Sequence, residues 1–266
     1  LLRSIIGFYQ IDSGQILYEG KDVHKNIAEI RKIFGFASQD NCFYEKLTVE
    51  ENLRYFGRLY SLDNNTIKER SQQLLSLVEL TKAKKRLAQN LSGGMKRRLD
   101  LACSMMHSPK ILICDEPTTG LDPLLKKHMW HLIKQIASKG TTVLVSSHIL
   151  SDIENFCTRV AILHKGVVLE VDAPDKLKEM YSKDQEIHLE TFPGRYDVMI
   201  NEIMQHKELA ITYIANKGHK LVIYTPQAES VLHTILLDVE NMGEQLIDLD
   251  VNRPTLEEVF EALTSK

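Results

Sequence analysis

The chain has 266 residues, enough for one large domain or two modest ones. Charged residues make up 26% and hydrophobic residues 43%, which excludes a disordered or collagen-like chain. With 33 Lys and Arg against 36 Asp and Glu, the formal charge is −3, which argues against a mainly electrostatic hold on nucleic acid.

In chain order, the sequence starts at Leu1 rather than Met, with no signal peptide, so it is expected to begin inside a longer reading frame. No apolar run approaches the roughly 18 residues that a membrane-spanning helix needs. Ile33-Phe34-Gly35-Phe36-Ala37 reads as a buried parallel strand leading to Ser38-Gln39. A helical insert follows, over about 45–108. Thr48 and Glu51 form a capping box, and Leu53, Phe56, Leu59 and Tyr60 make an apolar face. A second helix runs from about Thr66 to Val78. A third starts near Ser92, where Met95, Leu99, Ala102 and Met106 share one face while Lys96, Arg97, Arg98 and Asp100 look elsewhere.

Ile111-Leu112-Ile113-Cys114 is the second buried strand, leading to Asp115-Glu116. Pro117 ends it, and Thr118-Thr119-Gly120-Leu121-Asp122-Pro123 is a tight polar loop. Thr142-Val143-Leu144-Val145 is the third, leading to Ser146-Ser147-His148. Near Ala173-Pro174 the texture changes to shorter, more charged elements, so the domain boundary is placed at 174–184. The tail reads as strands near 186–190, 211–215, 220–224 and 245–250, with helices near 196–206, 228–241 and 255–263. That βαββαβ order suggests a ferredoxin-like module. The expected fold class is α/β, a mostly parallel sheet with a helical insert in 1–174, plus a small α+β module in 175–266. Cys42, Cys103, Cys114 and Cys157 form no C-x-x-C pair and each adjoins apolar residues, which favours buried free thiols over a disulfide or zinc site.

If the three strands are neighbours, Gln39, Asp115, Glu116 and His148 converge on one site, because ligands bind outside the carboxyl ends of parallel strands. An Asp at a strand end can hold Mg²⁺, directly or through water, and the Glu after it can orient or deprotonate an attacking water. An acidic turn after a buried strand would look the same. His148 can hydrogen-bond a γ-phosphate or its water, although a lone His is usually structural. Gln39 can complete a Mg²⁺ shell or simply end a strand. Leu91-Ser92-Gly93-Gly94-Met95 combines close backbone approach with a helix N-terminus, which suits phosphate, and equally makes an ordinary helix start. Position 95 is Met, so Ser92 is expected to be a plain N-cap or a phosphate contact.

Together these residues resemble the nucleotide-binding domain of the ATP-binding cassette (ABC) family, with the P-loop NTPase type of sheet, over about 1–175. Gln39 resembles the Q-loop glutamine, and Leu91-Ser92-Gly93-Gly94-Met95 the LSGGQ signature with Met in last place. Ile111–Asp115 resembles the Walker B strand, Glu116 the catalytic glutamate, Gly120-Leu121-Asp122 the D-loop and His148 the switch histidine. The resemblance implies an ATPase that binds ATP and Mg²⁺. In it Glu116 and His148 act on the γ-phosphate and its water, and Asp115 and Gln39 hold Mg²⁺. Ser92, Gly93, Gly94 and Asp122 contact the nucleotide, with the signature motif serving a partner subunit's ATP. It also implies a second nucleotide-binding domain, homo- or heterodimeric, a membrane permease subunit contacted through segments such as 39–44, and a peripheral place at the cytoplasmic membrane face. The run Asn252-Arg253-Pro254-Thr255-Leu256-Glu257-Glu258-Val259-Phe260 resembles the ending of multidrug, antibiotic and lipid exporter ATPases.

The family's G-x-x-x-x-G-K-[ST] loop, Walker A, does not occur in these residues, and Leu1–Gly7 resembles the helix that follows it. The expectation is that the chain as written lacks the first strands and binds ATP poorly, and that the complete protein carries the missing segment. A non-transport ABC ATPase and a non-catalytic cassette are the alternatives.

Overall fold

In a computed structural model that describes residues 1–181, 184–252 and 255–264, the chain divides into two units, Leu1–His148 and Ile149–Lys266. The boundary expected at 174–184 falls inside the second. In the first unit a short helix α1 (Leu2–Ile5) precedes a two-stranded antiparallel ribbon, β1 (Leu17–Tyr18) and β2 (Lys21–Asp22). A single-turn helix α2 (Ile27–Ile30) then leads into β3 (Phe34–Ala37). Leu2, Ile5 and Ile6 pack with Val23, Ile27, Ile30, Phe34 and Ile113 in one apolar cluster, which fixes the opening segment to the sheet.

The helical insert follows as α3 (Val49–Leu59), α4 (Asn64–Leu77) and α5 (Gly93–Ser104). Each start has a sequence cause. Thr48 and Glu51 close the capping box on α3, Asp63 accepts the N–H groups of Asn65 and Thr66 for α4, and Ser92 caps α5 through Met95 N–H. The buried face of α3 matches the one read from spacing at Leu53, with Phe56 and Tyr60 half-buried, but departs from it at Leu59. Leu53 is fully buried, Leu59 is 63% exposed, and Asn52 is buried instead. The Asn52 amide accepts Tyr44 N–H at 2.8 Å and donates to Tyr44 O and Thr48 O at 3.0 Å, so it spends its polar groups on the entering loop. On α5, Asp100 is buried, whereas the spacing puts it on the outer side.

The core sheet adds β4 (Ile111–Asp115), helix α6 (Pro123–Ser138) and β5 (Thr142–Ser146), with strand order β3-β4-β5, all parallel. Leu112, Ile113 and Cys114 have no exposure, as an apolar strand flanked on both sides requires. β5 is less buried than its apolar sequence implies, with Leu144 39% exposed; among the described residues β4 is its only neighbour in the sheet. Burial pushes the Cys114 thiol up to about 12 and raises Cys103 too, so both stay protonated. Cys42 is exposed, unlike the buried thiol expected there, because it sits on the loop after β3 rather than in a strand.

In the second unit α7 (Leu150–Phe156) precedes the antiparallel pair β6 (Val160–His164) and β7 (Val167–Asp172), then α8 (Pro174–Tyr181). The tail then forms β8 (Gln185–Phe192), α9 (Tyr196–Ile203), β9 (Tyr213–Asn216), β10 (Leu221–Thr225), α10 (Ala228–Asn241), β11 (Gln245–Asn252) and α11 (Leu256–Thr264). Its sheet order is β11-β8-β10-β9, antiparallel throughout. Ile187, Leu189, Leu221 and Ile223 from the strands meet Met199, Ile203, Val231 and Ile235 from the helices in one core. Thr255 caps α11, accepting Glu258 N–H at 3.4 Å, while Arg253 and Pro254 of the tail motif lie outside the described residues.

The Glu244 side chain, with no exposure, accepts Gly194 N–H at 2.8 Å and Arg195 Nε–H at 2.8 Å. Burial alone would raise its carboxyl, but the Arg195 guanidinium and the two backbone donors hold it down to about 2. An acid depressed in the folded state adds stability above its unfolded value, which is lost as pH falls toward the folded one. Urea unfolding of the chain between pH 5 and pH 2 is expected to show this loss, and Glu244→Gln is expected to be destabilised at pH 7 and to lack that component. Thr48→Ala is expected to lower stability by about 1 kcal/mol in the same measurement.

Candidate active site

Register brings the site together. Ala37 of β3 lies opposite Cys114 of β4, and Asp115 lies opposite Ser146 of β5. All three strands therefore end at one level, and the residues just beyond them share one edge of the sheet. The Ser146 hydroxyl donates to Asp115 Oδ1 at 2.6 Å and accepts Glu116 N–H at 3.1 Å. The chain turns sharply there, and Glu116 takes a left-handed backbone with φ 51°. That region is unfavourable for a residue with a side chain, and such strain gathers at functional sites.

The turn aims the Glu116 carboxylate across the strand ends. It lies 2.9 Å (Oε1) and 3.0 Å (Oε2) from His148 Nδ1, and Oε2 accepts the Thr119 hydroxyl at 2.9 Å. Glu116 is 20% exposed and His148 is 70% exposed, so the carboxylate is shielded while the imidazole faces solvent. With Nδ1 turned to Glu116, the outward ring nitrogen Nε2 remains for a ligand. On Asp115, Oδ1 is engaged by Ser146 and Oδ2 is left for a cation.

Gln39 stands two residues beyond β3, exposed, on the loop next to this group. Ser92 and Gly93 are exposed at the start of α5, and no hydrogen bond joins them to Asp115, Glu116 or His148. Gly94 is buried, and a Cβ built on it would meet Leu125 Cδ1 at 3.0 Å. Its lack of a side chain therefore already serves the contact between α5 and α6. Asp122 is the N-cap of α6, accepting Leu125 N–H at 3.0 Å. Asp115, Glu116 and His148 are thus in one bonded group, Gln39 lies on the loop that leaves the neighbouring strand β3, and Ser92, Gly93, Gly94 and Asp122 sit at two helix starts.

Ser146 and Thr119 are functional neighbours of the carboxylates that no motif in the sequence marks. Strand lengths carried a signal for Ser146, since equal runs from 111 and from 142 place it level with Asp115. Among the described residues, no group of three or more His, Cys, Asp or Glu is arranged to hold a metal ion. One carboxylate and one carboxamide fit Mg²⁺, a hard cation that keeps several waters and takes phosphate oxygens.

Residues 1–119 match the family described as ABC transporter. The chain is 32% identical over 265 residues to the linearmycin resistance ATP-binding protein LnrL of Bacillus subtilis (strain 168), a match spanning 100% of this chain and 85% of the relative. It is 30% identical over 277 residues to the daunorubicin resistance ATP-binding protein DrrA2 of Streptomyces coeruleorubidus, spanning 99% of this chain and 81% of that one. A solved structure described as the ATP binding subunit of an ABC transporter superposes with a TM-score of 0.60 at 29% identity, covering 68% of this chain and 75% of the other.

The strain of the left-handed turn is offset by the bonds of the side chain it aims. Glu116→Gly is expected to leave unfolding stability within about 1 kcal/mol in denaturant titration, because relief of the backbone is matched by loss of the Thr119 and His148 bonds. Ser146→Ala is expected to lower it by about 1–3 kcal/mol, because Asp115 Oδ1 loses its donor while the Glu116 N–H keeps only the Ser146 carbonyl at 3.3 Å.

Proposed function

The chain belongs to the ABC transporter family, and from that premise we propose that it is the ATP-hydrolysing subunit of an exporter working with a separate membrane permease. The observation that carries this reading is the Glu116 carboxylate, held on a left-handed turn between Thr119 and His148 at the ends of parallel strands. A shielded carboxylate with a fixed direction suits a group that orients or deprotonates water attacking the ATP γ-phosphate. His148 accompanies it, with its outward nitrogen toward that phosphate. Asp115 and Gln39 are the residues that would hold Mg²⁺. When bound, Mg²⁺ supplies charge neutralisation on the phosphates.

Ser92, Gly93 and Gly94 open α5, where backbone N–H groups and the positive end of the helix dipole favour an anion. As the signature motif, they serve the ATP of a second nucleotide-binding domain. Asp122, which caps the helix packed on Gly94, belongs to that shared interface. Among the described residues, no helix is long and apolar enough to cross a membrane. In this reading the path for cargo belongs to the permease, with this subunit at its cytoplasmic face. The relatives' names point to drug or antibiotic export.

A non-catalytic cassette is the second reading, and it draws on the lack of a G-x-x-x-x-G-K-[ST] loop within these residues. ATP-Mg²⁺ is expected to shift the thermal midpoint of these 266 residues little, because they offer no loop to cradle the phosphates. Expressed from the full reading frame, the protein is expected to shift clearly, and Glu116→Gln in it to lose roughly 10²–10⁴-fold in turnover while still binding ATP. Turnover near wild type in that variant sinks the role given to Glu116, and no shift in either form favours the non-catalytic reading.

A further inference from the structure

The loop that carries Gln39 is tied to the helix that carries the signature motif. Asp100, eight residues past Ser92 on α5, is 2% exposed, and its Oδ1 accepts Cys42 N–H at 2.7 Å. One turn earlier on the same helix, Arg97 Nη1 donates to Ser38 O at 3.1 Å and to Gln39 O. Lys96 beside it reaches Glu45 at 2.9 Å. The cation takes carbonyls at the start of the loop, and the anion takes an N–H three residues after Gln39. The loop closes on itself as well, the Ser38 hydroxyl donating to Asp40 O. The cleft under these contacts is lined by Ser38, Arg97 and Asp100, by Met129 of α6, and by Pro117, the residue after Glu116. Loop, signature helix and carboxylate turn therefore border one small space.

A buried carboxylate is costly, and an apolar side chain would pack there at less cost unless the acid does something a hydrocarbon does not. Burial pushes the Asp100 carboxyl up to about 6, against the opposing pull of the Cys42 N–H, the Arg97 charge and the Ser38 backbone. The Arg97 charge and the N–H donors favour its ionised form, the form that accepts an N–H most strongly.

We propose that Asp100, with Arg97, is a positioning residue that clamps residues 38–42 to α5, so that Gln39 and the Ser92-Gly93-Gly94 helix start move as one body. The clamp rests on the reading of the chain as an ATPase in which Gln39 serves the Mg²⁺ and water. Through it, a displacement of the signature helix is transmitted to Gln39 by two side chains, without passing through the sheet. Neither residue touches nucleotide.

The test combines amide exchange with kinetics on the protein from its full reading frame. In Asp100→Ala, exchange across 38–44 is expected to rise at least about tenfold while 93–104 keeps its protection. Its kcat for ATP is expected to fall about tenfold with KM within about twofold, the pattern of a lost alignment rather than lost binding. Asp100→Asn, which keeps an acceptor oxygen in the same volume, is expected to restore both to within about threefold of wild type. Arg97→Met leaves the buried carboxylate in place and is expected to reproduce the exchange change if Asp100→Ala does not fold. Unchanged exchange in 38–44 in the variants that fold overturns the clamp. Faster exchange with undiminished kcat overturns its bearing on Gln39. A wild-type protein that hydrolyses no ATP overturns the ATPase reading instead, and the exchange in 38–44 still decides whether the clamp exists.

Discussion

The Ser146 hydroxyl sits where two parallel strands stop, and it serves both at once. It gives its proton to Asp115 and takes the N–H of Glu116. Only a small side chain that is both donor and acceptor can do this at the end of a strand packed beside another. The bridge fixes the direction in which the chain leaves β4, and so it fixes the left-handed turn at Glu116. Thr119 and His148 then find the carboxylate within reach because that turn has pointed it at them. The chemistry assigned to Glu116 thus depends on a serine that touches no reacting atom.

The helical insert solves a different problem. Its helices pack through buried apolar residues such as Leu53, Ile67, Leu74, Leu99 and Met106, and polar side chains turned inward onto loops add directional bonds to that packing. Asn52 holds the backbone of Tyr44 and Thr48, Arg70 donates to Met105 O at 2.9 Å, and Arg98 donates to Val78 O at 3.0 Å. Buried backbone groups of loops need partners, and long polar side chains supply them at a distance. These bonds join segments that would otherwise have only apolar contact, which is non-directional. They fix not just that the insert packs, but in which register it does so.

Much of this was legible in the sequence. Apolar runs marked β3, β4 and β5, and the polar residues after them marked Gln39, Asp115, Glu116 and His148. Capping chemistry marked the starts of α3 and α5. In the tail, the element order and the span of α10 were readable from alternation and spacing, and the other ends fell within three residues. What spacing cannot report is a polar residue's partner. Asp100 looked like a surface residue because its partner, Cys42 N–H, lies 58 positions away. Leu59 fell on a nominally apolar face, yet α3 turns Asn52 inward. The edge position of β5 was hidden too, since an apolar strand reads the same with one neighbour or two.

The buried glycine at the start of α5 complicates any mutational survey of this molecule. Its Cβ position is already crowded by Leu125, so residues larger than hydrogen push on α6 before any ligand arrives. A loss of activity at Gly94 therefore reports two things at once, and the two cannot be separated by substituting that position alone. Gly93 next to it faces open space. Side chains of graded size placed there probe the approach of a ligand without disturbing the helix pair, and shortening Leu125 beneath a Gly94→Ala change relieves the crowding while leaving the added methyl in place. Of two adjacent glycines with the same letter in the sequence, one is the informative position and the other is informative only together with a second change.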